Sequence, residues 1–201
     1  ICEDFIKGCD VVFNLAALIG IPYSYLAPES YFDVNVKGTL NLLKASNSFK
    51  IKKFIQFSTS EVYGTPNTVP IKETHPLNAQ SPYAASKIAS DQLALSFHNS
   101  FKSPIVILRP FNVFGPRQSE RAVISSIINQ ILSCKNEKIR LGSLWPERDF
   151  NYVEDSVESI SKVIELKNID GQVINIGSGF KISIGEVAKI VMKITNKQVK
   201  I

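Results

Sequence analysis

Short apolar runs punctuate the chain, each followed by a longer stretch in which apolar positions return every three or four residues. Asp10 to Ala17 (DVVFNLAA), Lys53 to Ser58 (KFIQFS) and Pro104 to Leu108 (PIVIL) have the length of strands. The last is apolar throughout, as in a strand buried on both faces of a parallel sheet. Between them, Ser30 to Ser48 carries Val34, Leu40, Leu42 and Leu43, and Pro82 to Phe101 carries Ile88, Leu93, Leu95 and Phe97. These spacings predict two long helices. A short helix over 3–8, stopped by Gly8, precedes the first strand, and a loop rich in Pro, Thr and Asn fills 64–81. Such alternation predicts an α/β fold, a doubly wound parallel sheet with crossover helices.

The rhythm changes after Arg109-Pro110. A turn at Gly115-Pro116 leads to a helix over 120–134, strands over 139–141 and 150–153, a helix over 154–166, a strand over 172–176 and a helix over 183–195. The expected organisation is a sheet domain over 1–112 and a smaller lobe over 113–201, with elements near 154–176 returning to the sheet.

With 44% apolar and 20% charged residues in 201, the composition is that of a soluble globular protein. No apolar run approaches the roughly 20 residues of a membrane helix. Three cysteines (Cys2, Cys9, Cys134) are an odd number without a pairing pattern, which fits a reducing, cytoplasmic setting. His75 and His98 have no ligand partners at metal spacing, so no metal site is expected. The net charge of +5 is spread over lysines such as Lys50, Lys52, Lys53, Lys135 and Lys138, the pattern of a solvated surface rather than a nucleic-acid patch. Ile1-Cys2-Glu3-Asp4 has neither an initiator Met nor the basic start of a signal peptide, so the chain is expected to begin inside a domain.

In open α/β sheets ligands bind beyond the carboxyl ends of the strands. Three such ends are polar or small here: Asn14-Leu15-Ala16-Ala17, Ser58-Thr59-Ser60-Glu61 and Arg109-Pro110-Phe111-Asn112. A further piece is Tyr83-Ala84-Ala85-Ser86-Lys87, in which Tyr83 and Lys87 share a helix face at i and i+4. A neighbouring ammonium stabilises phenolate, drawing a tyrosine pKa from about 10 toward neutrality, and such a tyrosine can act as a base on a sugar hydroxyl.

Seven segments in order, NLAA (14–17), DVNVKGTLNLL (33–43), STSEVYG (58–64), SPYAASK (81–87), RPFNVFGP (109–116), RDFNYVED (148–155) and NIGSG (175–179), cover nearly the whole chain. In them it resembles the extended short-chain dehydrogenases/reductases, specifically the NAD-dependent sugar-nucleotide epimerase/dehydratase family. The resemblance implies a Rossmann-type fold, NAD as cofactor and a nucleotide-diphosphate sugar as substrate. It implies that Thr59 bonds the substrate's 4-hydroxyl, with Tyr83 and Lys87 as base and helper. Leu15, Ala16, Ala17, Asn35, Ser58 and Pro110 would lie with Tyr83 and Lys87 along the cofactor, and Asn112 and Arg148 on the substrate's diphosphate.

Glu61 points within the family to the 4,6-dehydratases, since a carboxylate beside the catalytic Thr suits abstraction of a C5 proton. Ser60 departs from the Thr-Asp-Glu triplet of dTDP-glucose enzymes and matches the Thr-Ser-Glu of GDP-mannose dehydratases. A C4-epimerase or UDP-glucuronate decarboxylase is the alternative, and a non-catalytic sensor or scaffold a remote one. Segments 18–25 and 115–124 resemble a subgroup that makes bacillosamine- and legionaminic-type glycan sugars from nucleotide-linked N-acetylglucosamine.

The family's GxxGxxG turn, which holds a pyrophosphate at a helix N-terminus, does not occur in these residues. The resemblance therefore implies a fragment whose N-terminal βαβ part, and part of the C-terminal lobe, are missing. It also implies a homodimer through the helices at 30–48 and 83–101, with neither nucleic acid nor membrane as partner.

Overall fold

The computed structural model describes residues 2–134 and 138–201. They divide into two compact units, Ile1–Pro110 with Ser159–Ile176, and Phe111–Glu158 with Gly177–Ile201.

In the first unit, β1 (Val11–Asn14), β2 (Lys53–Phe57), β3 (Ile105–Pro110) and β7 (Val173–Ile176) form a parallel sheet in the order β1-β2-β3-β7. The apolar run at β3 divides by period two. Ile105 and Ile107 join Phe54 on one face with Ile6 of α1 (Cys2–Ile6), Leu43 of α4 (Gly38–Ser48) and Ala94 of α5 (Pro82–Phe101). Val106 and Leu108 join Ile55 on the other with Val163 of α7 (Val153–Glu165) and Ile169. Helical cover on both faces explains why the strand can be apolar at every position. This is the doubly wound α/β fold that the pattern predicts.

Three local features differ from expectation. First, β1 ends at Asn14 instead of running to Ala17. The Asn14 amide turns inward to Thr39 Oγ1 (3.0 Å) and Gln56 Oε1 (2.8 Å), and Asn35 takes both backbone groups of Leu18. Second, the expected helix over 30–48 is built of α3 (Pro28–Tyr31), a π-helical segment at Phe32–Lys37 and α4, with the short α2 (Ile21–Ser24) before it. Third, α5 buries a polar stripe. Tyr83, Ser86, Lys87, Ser90 and Asp91 lie inside, while Ile88, Leu93, Leu95 and Phe97 are only half-buried.

Lys53 also corrects the sequence reading. It is buried, not part of a solvated surface, and its ammonium donates to the carbonyls of Val163 (2.9 Å), Ile164 (2.9 Å) and Leu166 (2.7 Å) at the C-terminal end of α7. A cation there satisfies carbonyls that the helix leaves unpaired and complements its dipole. Lys135 lies outside the described residues.

In the second unit, β4 (Asn112–Phe114) pairs in parallel with β6 (Phe150–Tyr152), and β5 (Glu147–Arg148) pairs antiparallel with β8 (Ile182–Ser183). Its core joins Ile127 and Ile131 of α6 (Val123–Ser133) to Val187, Ala188 and Val191 of α8 (Ile184–Thr195). A capping box of Ser183 and Glu186 starts α8. The expected strand over 139–141 is reduced to a bridge between Lys138 and Lys200. Ile139 N donates to Lys200 O, while side chains take the amides on either side: Cys134 Sγ accepts from Lys138 N, and Gln130 Oε1 from Arg140 N. No helix among the described residues is long and apolar enough to cross a membrane.

Lys53→Met leaves three carbonyls without their charged donor and is expected to cost about 1.5–3 kcal/mol. Lys52→Met, which removes only an exposed pair with Asp10, is expected to change nothing measurable. Urea unfolding midpoints of the two variants, at constant slope, check this.

Candidate active site

The site in the first unit starts from the end of β2. After Phe57 the ladder continues one step, Ser58 N donating to Leu108 O at 2.7 Å. Thr59 stays extended and caps a 3₁₀ turn at Ser60–Tyr63, its Oγ1 accepting from Glu61 N at 3.2 Å. The cap belongs to Thr59. Glu61 lies in the first turn, half-buried, and among the described residues its carboxylate has no hydrogen-bond or ion-pair partner.

Helix α5 brings the second half. Ser81 caps it through Ala84 N (3.1 Å) and Pro82 opens its first turn, so Tyr83 enters at the start of the buried stripe. Tyr83 lies close enough to the Thr59 side chain for it to lower the phenol's pKa, and packs edge-on to Tyr31 with ring centroids 6.2 Å apart. One turn on, Lys87 is buried and its ammonium donates to Phe57 O at 2.5 Å.

The acid–base balance differs from the sequence expectation. The Tyr83 phenol is pushed up to about 12, most of all by burial and further by Glu61, Tyr31 and Asp91, with the Thr59 side chain acting the other way. Burial lowers the Lys87 pKa, and Asp91 opposes that. The ammonium therefore does not bring Tyr83 toward neutrality in this state. Desolvation of the phenolate outweighs it, and the lysine's charge is spent on a carbonyl.

The remaining expected residues are placed as follows. Leu15 and Ala16 are exposed and Ala17 half-buried just past β1; Pro110 ends β3. Asn14, the last residue of β1, keeps a buried Oδ1 without a hydrogen bond. Ser58 is buried and its hydroxyl donates to Asp91 Oδ2 at 2.8 Å, which makes it a structural tie. Asn35 is likewise consumed within the chain, bonding Leu18 N (2.8 Å), Leu18 O (3.0 Å) and Ser86 Oγ (2.9 Å). Its own carbonyl accepts from the hydroxyls of Thr39 and Ser90, both at 2.7 Å. The π-helical register supports this, because shifting a turn from i+4 to i+5 releases carbonyls, and such segments recur at functional sites.

Asn112 and Arg148 belong to the second unit. Asn112 bonds Asp149 O through both its backbone amide (3.1 Å) and its side chain (3.3 Å). Arg148, exposed on β5, donates to Glu147 O at 2.8 Å. The Asp149 carboxylate accepts from Ser178 N (2.9 Å), Ser178 Oγ (2.7 Å), Gly179 N (3.0 Å) and Asn151 Nδ2 (3.1 Å). It thereby ties the glycine-rich 177–179 loop beside Arg148.

Sequence reasoning passed over Asp91 and gave Arg109 no role beyond opening a polar strand end. Asp91 sits one turn beyond Lys87 and Arg109 at the end of an apolar strand; the two form an ion pair at 3.0 Å with side chains 0% and 3% exposed. The signal was present: an acid at i+8 from Tyr83 on a helix face already holding two functional types, and an arginine closing an otherwise apolar strand. Among the described residues no group of three or more His, Cys, Asp and Glu could hold a metal ion.

Comparison with known proteins identifies the family. The family described as "GDP-mannose 4,6 dehydratase" matches residues 5–201. The chain is 34% identical to a dTDP-D-glucose 4,6-dehydratase of Dictyostelium discoideum, over 92% of this chain and 45% of that protein. The chain thus spans about half the length of that curated relative. Among solved structures it is similar to a UDP-N-acetylglucosamine 4-epimerase from Methanobrevibacter ruminantium M1 in complex with UDP-N-acetylmuramic acid. There the TM-score is 0.93 at 34% identity, over 100% of this chain and 65% of that one. It is also similar to DesIV, a dTDP-glucose 4,6-dehydratase from Streptomyces venezuelae with NAD and TYD bound. That match has a TM-score of 0.90 at 26% identity, over 98% of this chain and 61% of that one. With the Thr59–Tyr83–Lys87 grouping at the end of a parallel sheet, these matches show that the chain belongs to the GDP-mannose 4,6-dehydratase family of sugar-nucleotide dehydratases and epimerases.

Proposed function

We propose that these residues form the catalytic part of an NAD-dependent 4,6-dehydratase that converts a nucleotide-diphosphate sugar to its 4-keto-6-deoxy form. The observation that carries this reading is Glu61. It is a half-buried carboxylate with no partner among the described residues, in the turn that Thr59 caps and close enough to Tyr83 to raise its pKa. A cap needs no such carboxylate, whereas proton abstraction does.

The chain's end of the dinucleotide site fits NAD. Small exposed residues follow β1, Asn14 keeps an unpartnered buried oxygen at that strand end, and a lysine and a tyrosine meet the end of β2. Leu15, Ala16, Ala17, Tyr83, Lys87 and Pro110 would hold it, with Ser58 fixing the end of β2 and Asn35 the 15–18 segment from behind. When bound, NAD supplies a reversible hydride acceptor for C4 and donor for C6.

In this reading Thr59 bonds the 4-hydroxyl and Tyr83, ionised once positive charge is bound beside it, accepts the hydroxyl proton as a phenolate. The resulting 4-keto group acidifies C5–H, and Glu61 removes that proton. Hydroxide leaves C6 as water, taking a proton from Glu61 or from a water beside Ser60. Arg148 and Asn112 meet the diphosphate, where a guanidinium fork matches phosphate oxygens. Pairing of two copies through 28–48 and α5 would cover exposed Phe32 and Val34.

A second reading, C4-epimerisation, is favoured by the likeness to the Methanobrevibacter epimerase. The two separate in deuterated water: dehydration places deuterium at C5, and epimerisation does not.

All activity measurements use the complete gene product that contains these residues. Tyr83→Phe is expected to lower kcat about 10²–10⁴-fold with substrate binding retained, by steady-state kinetics and calorimetry; near-normal turnover would sink the assignment. Glu61→Gln is expected to oxidise C4 and stall. Mass spectrometry of quenched reactions should find one enzyme equivalent of 4-keto sugar that keeps its 6-hydroxyl, whereas normal dehydration would refute the base. Arg148→Ala is expected to raise KM far more than it lowers kcat, because phosphate contacts are made equally in ground and transition states.

A further inference from the structure

Beneath the proposed catalytic pair lies a buried polar network that the reaction scheme leaves unused. Asp91 Oδ2 accepts from Ser58 Oγ (2.8 Å), Arg109 Nε (3.1 Å) and Arg109 Nη2 (3.0 Å). Arg109 Nη1 donates to Tyr63 Oη (3.0 Å), which donates to Asn175 Oδ1 (2.8 Å). Asp91 Oδ1 is buried with no hydrogen bond. Three donors converge on one oxygen, which is the coordination of a carboxylate. Burial pushes the Asp91 carboxyl up, and Arg109, Ser58 and Lys87 pull it down.

A buried ion pair is a costly way to hold a helix on a sheet, and apolar residues of similar volume usually do as well or better. Its placement suggests another use. Tyr83, Lys87 and Asp91 follow one another at i, i+4 and i+8 on the buried face of α5. Lys87 bonds the carbonyl of Phe57, and Asp91 bonds the side chain of the next residue, Ser58. The helix is thus fastened at two consecutive points on the strand end from which Thr59 projects.

Building on the function proposed above, we infer that Asp91 is a positioning residue: with Arg109 as counterion, its fixed negative charge keeps Lys87 an ammonium and holds the end of β2 in register with Tyr83. The charged and titratable groups around this pair are few. Among the described residues they include Arg109 on β3, Glu61 and Tyr63 in the 3₁₀ turn, Tyr31 on α3 and Tyr23 on α2, with His75 packed edge-on to Tyr63 and Glu73 accepting from Asn175 N at the far end of the network. In the adjoining helix Asp33 and Lys37 pair with each other at the surface, and Lys44 is exposed. Among the described residues, Asp91 is the charge that supports the ammonium against burial.

Removing a buried negative charge lowers the pKa of every group near it. Asp91→Asn is therefore expected to move the Lys87 titration down by about one unit or more. It should also lower kcat with KM little changed, and shift both limbs of the kcat–pH profile toward acid. Because that variant strands Arg109, the double variant Asp91→Asn/Arg109→Met serves beside it; Asp91 lies one turn from Lys87 on α5, so a smaller downward Lys87 shift is expected to remain there. Asp91→Glu, which keeps the charge, is expected to keep the Lys87 titration near its original position.

Lys87 is followed by heteronuclear NMR of lysine side chains in the complete gene product, assigned by its loss in Lys87→Arg. A Lys87 titration that is unmoved or raised in the charge-neutral variants overturns the inference, whatever their activity. Full turnover of Tyr83→Phe would instead remove the proposed function and leave the Lys87 measurement standing.

Discussion

The Asp91–Arg109 pair constrains more of this molecule than its size suggests. α5 turns a polar stripe toward the sheet, and a polar stripe is tolerated inside only when each group finds a partner. Asp91 finds Ser58 and Arg109, Lys87 finds Phe57 O, Ser90 finds Asn35 O, and Ser86 accepts from Asn35. An apolar face could slide by a turn and still be buried. This one cannot, because a one-turn slip would leave an ammonium and a carboxylate unpaired inside. The register of helix against strand is therefore specified by charge and hydrogen bonding.

That register sets the chemistry available at the strand end. Burial raises the Tyr83 phenol to about 12, and Glu61 stands nearby with no hydrogen-bond or ion-pair partner among the described residues. Phenolate here is costly, and positive charge placed beside the ring would lower that cost. The π-helical segment adds a second fixed point. Asn35 closes the 15–18 segment and offers its carbonyl to α5 at the same time, so the ends of β1 and β2 are set by one helix pair. In the second unit Asp149 does comparable work for Asn112 and the 177–179 loop.

Much of this was legible in the residues. The period of the apolar runs determined the strands and helices of the parallel sheet, because a strand covered on both faces has no polar option. The strand-end residues Ser58 to Glu61 and the Tyr83–Lys87 spacing marked the site, because i and i+4 share a helix face whatever the rest of the fold. Other assignments depended on three dimensions. Lys53 read as surface and is buried at the end of α7, since its partners lie more than a hundred residues away. Ser58 and Asn35 read as cofactor contacts, yet their polar groups are committed inside the chain. The Tyr83 pKa read as lowered and is raised, because spacing reveals a neighbouring charge but not the desolvation that opposes it. Local pattern determined which elements form; only tertiary packing decided which polar groups lose water and to whom they are bound.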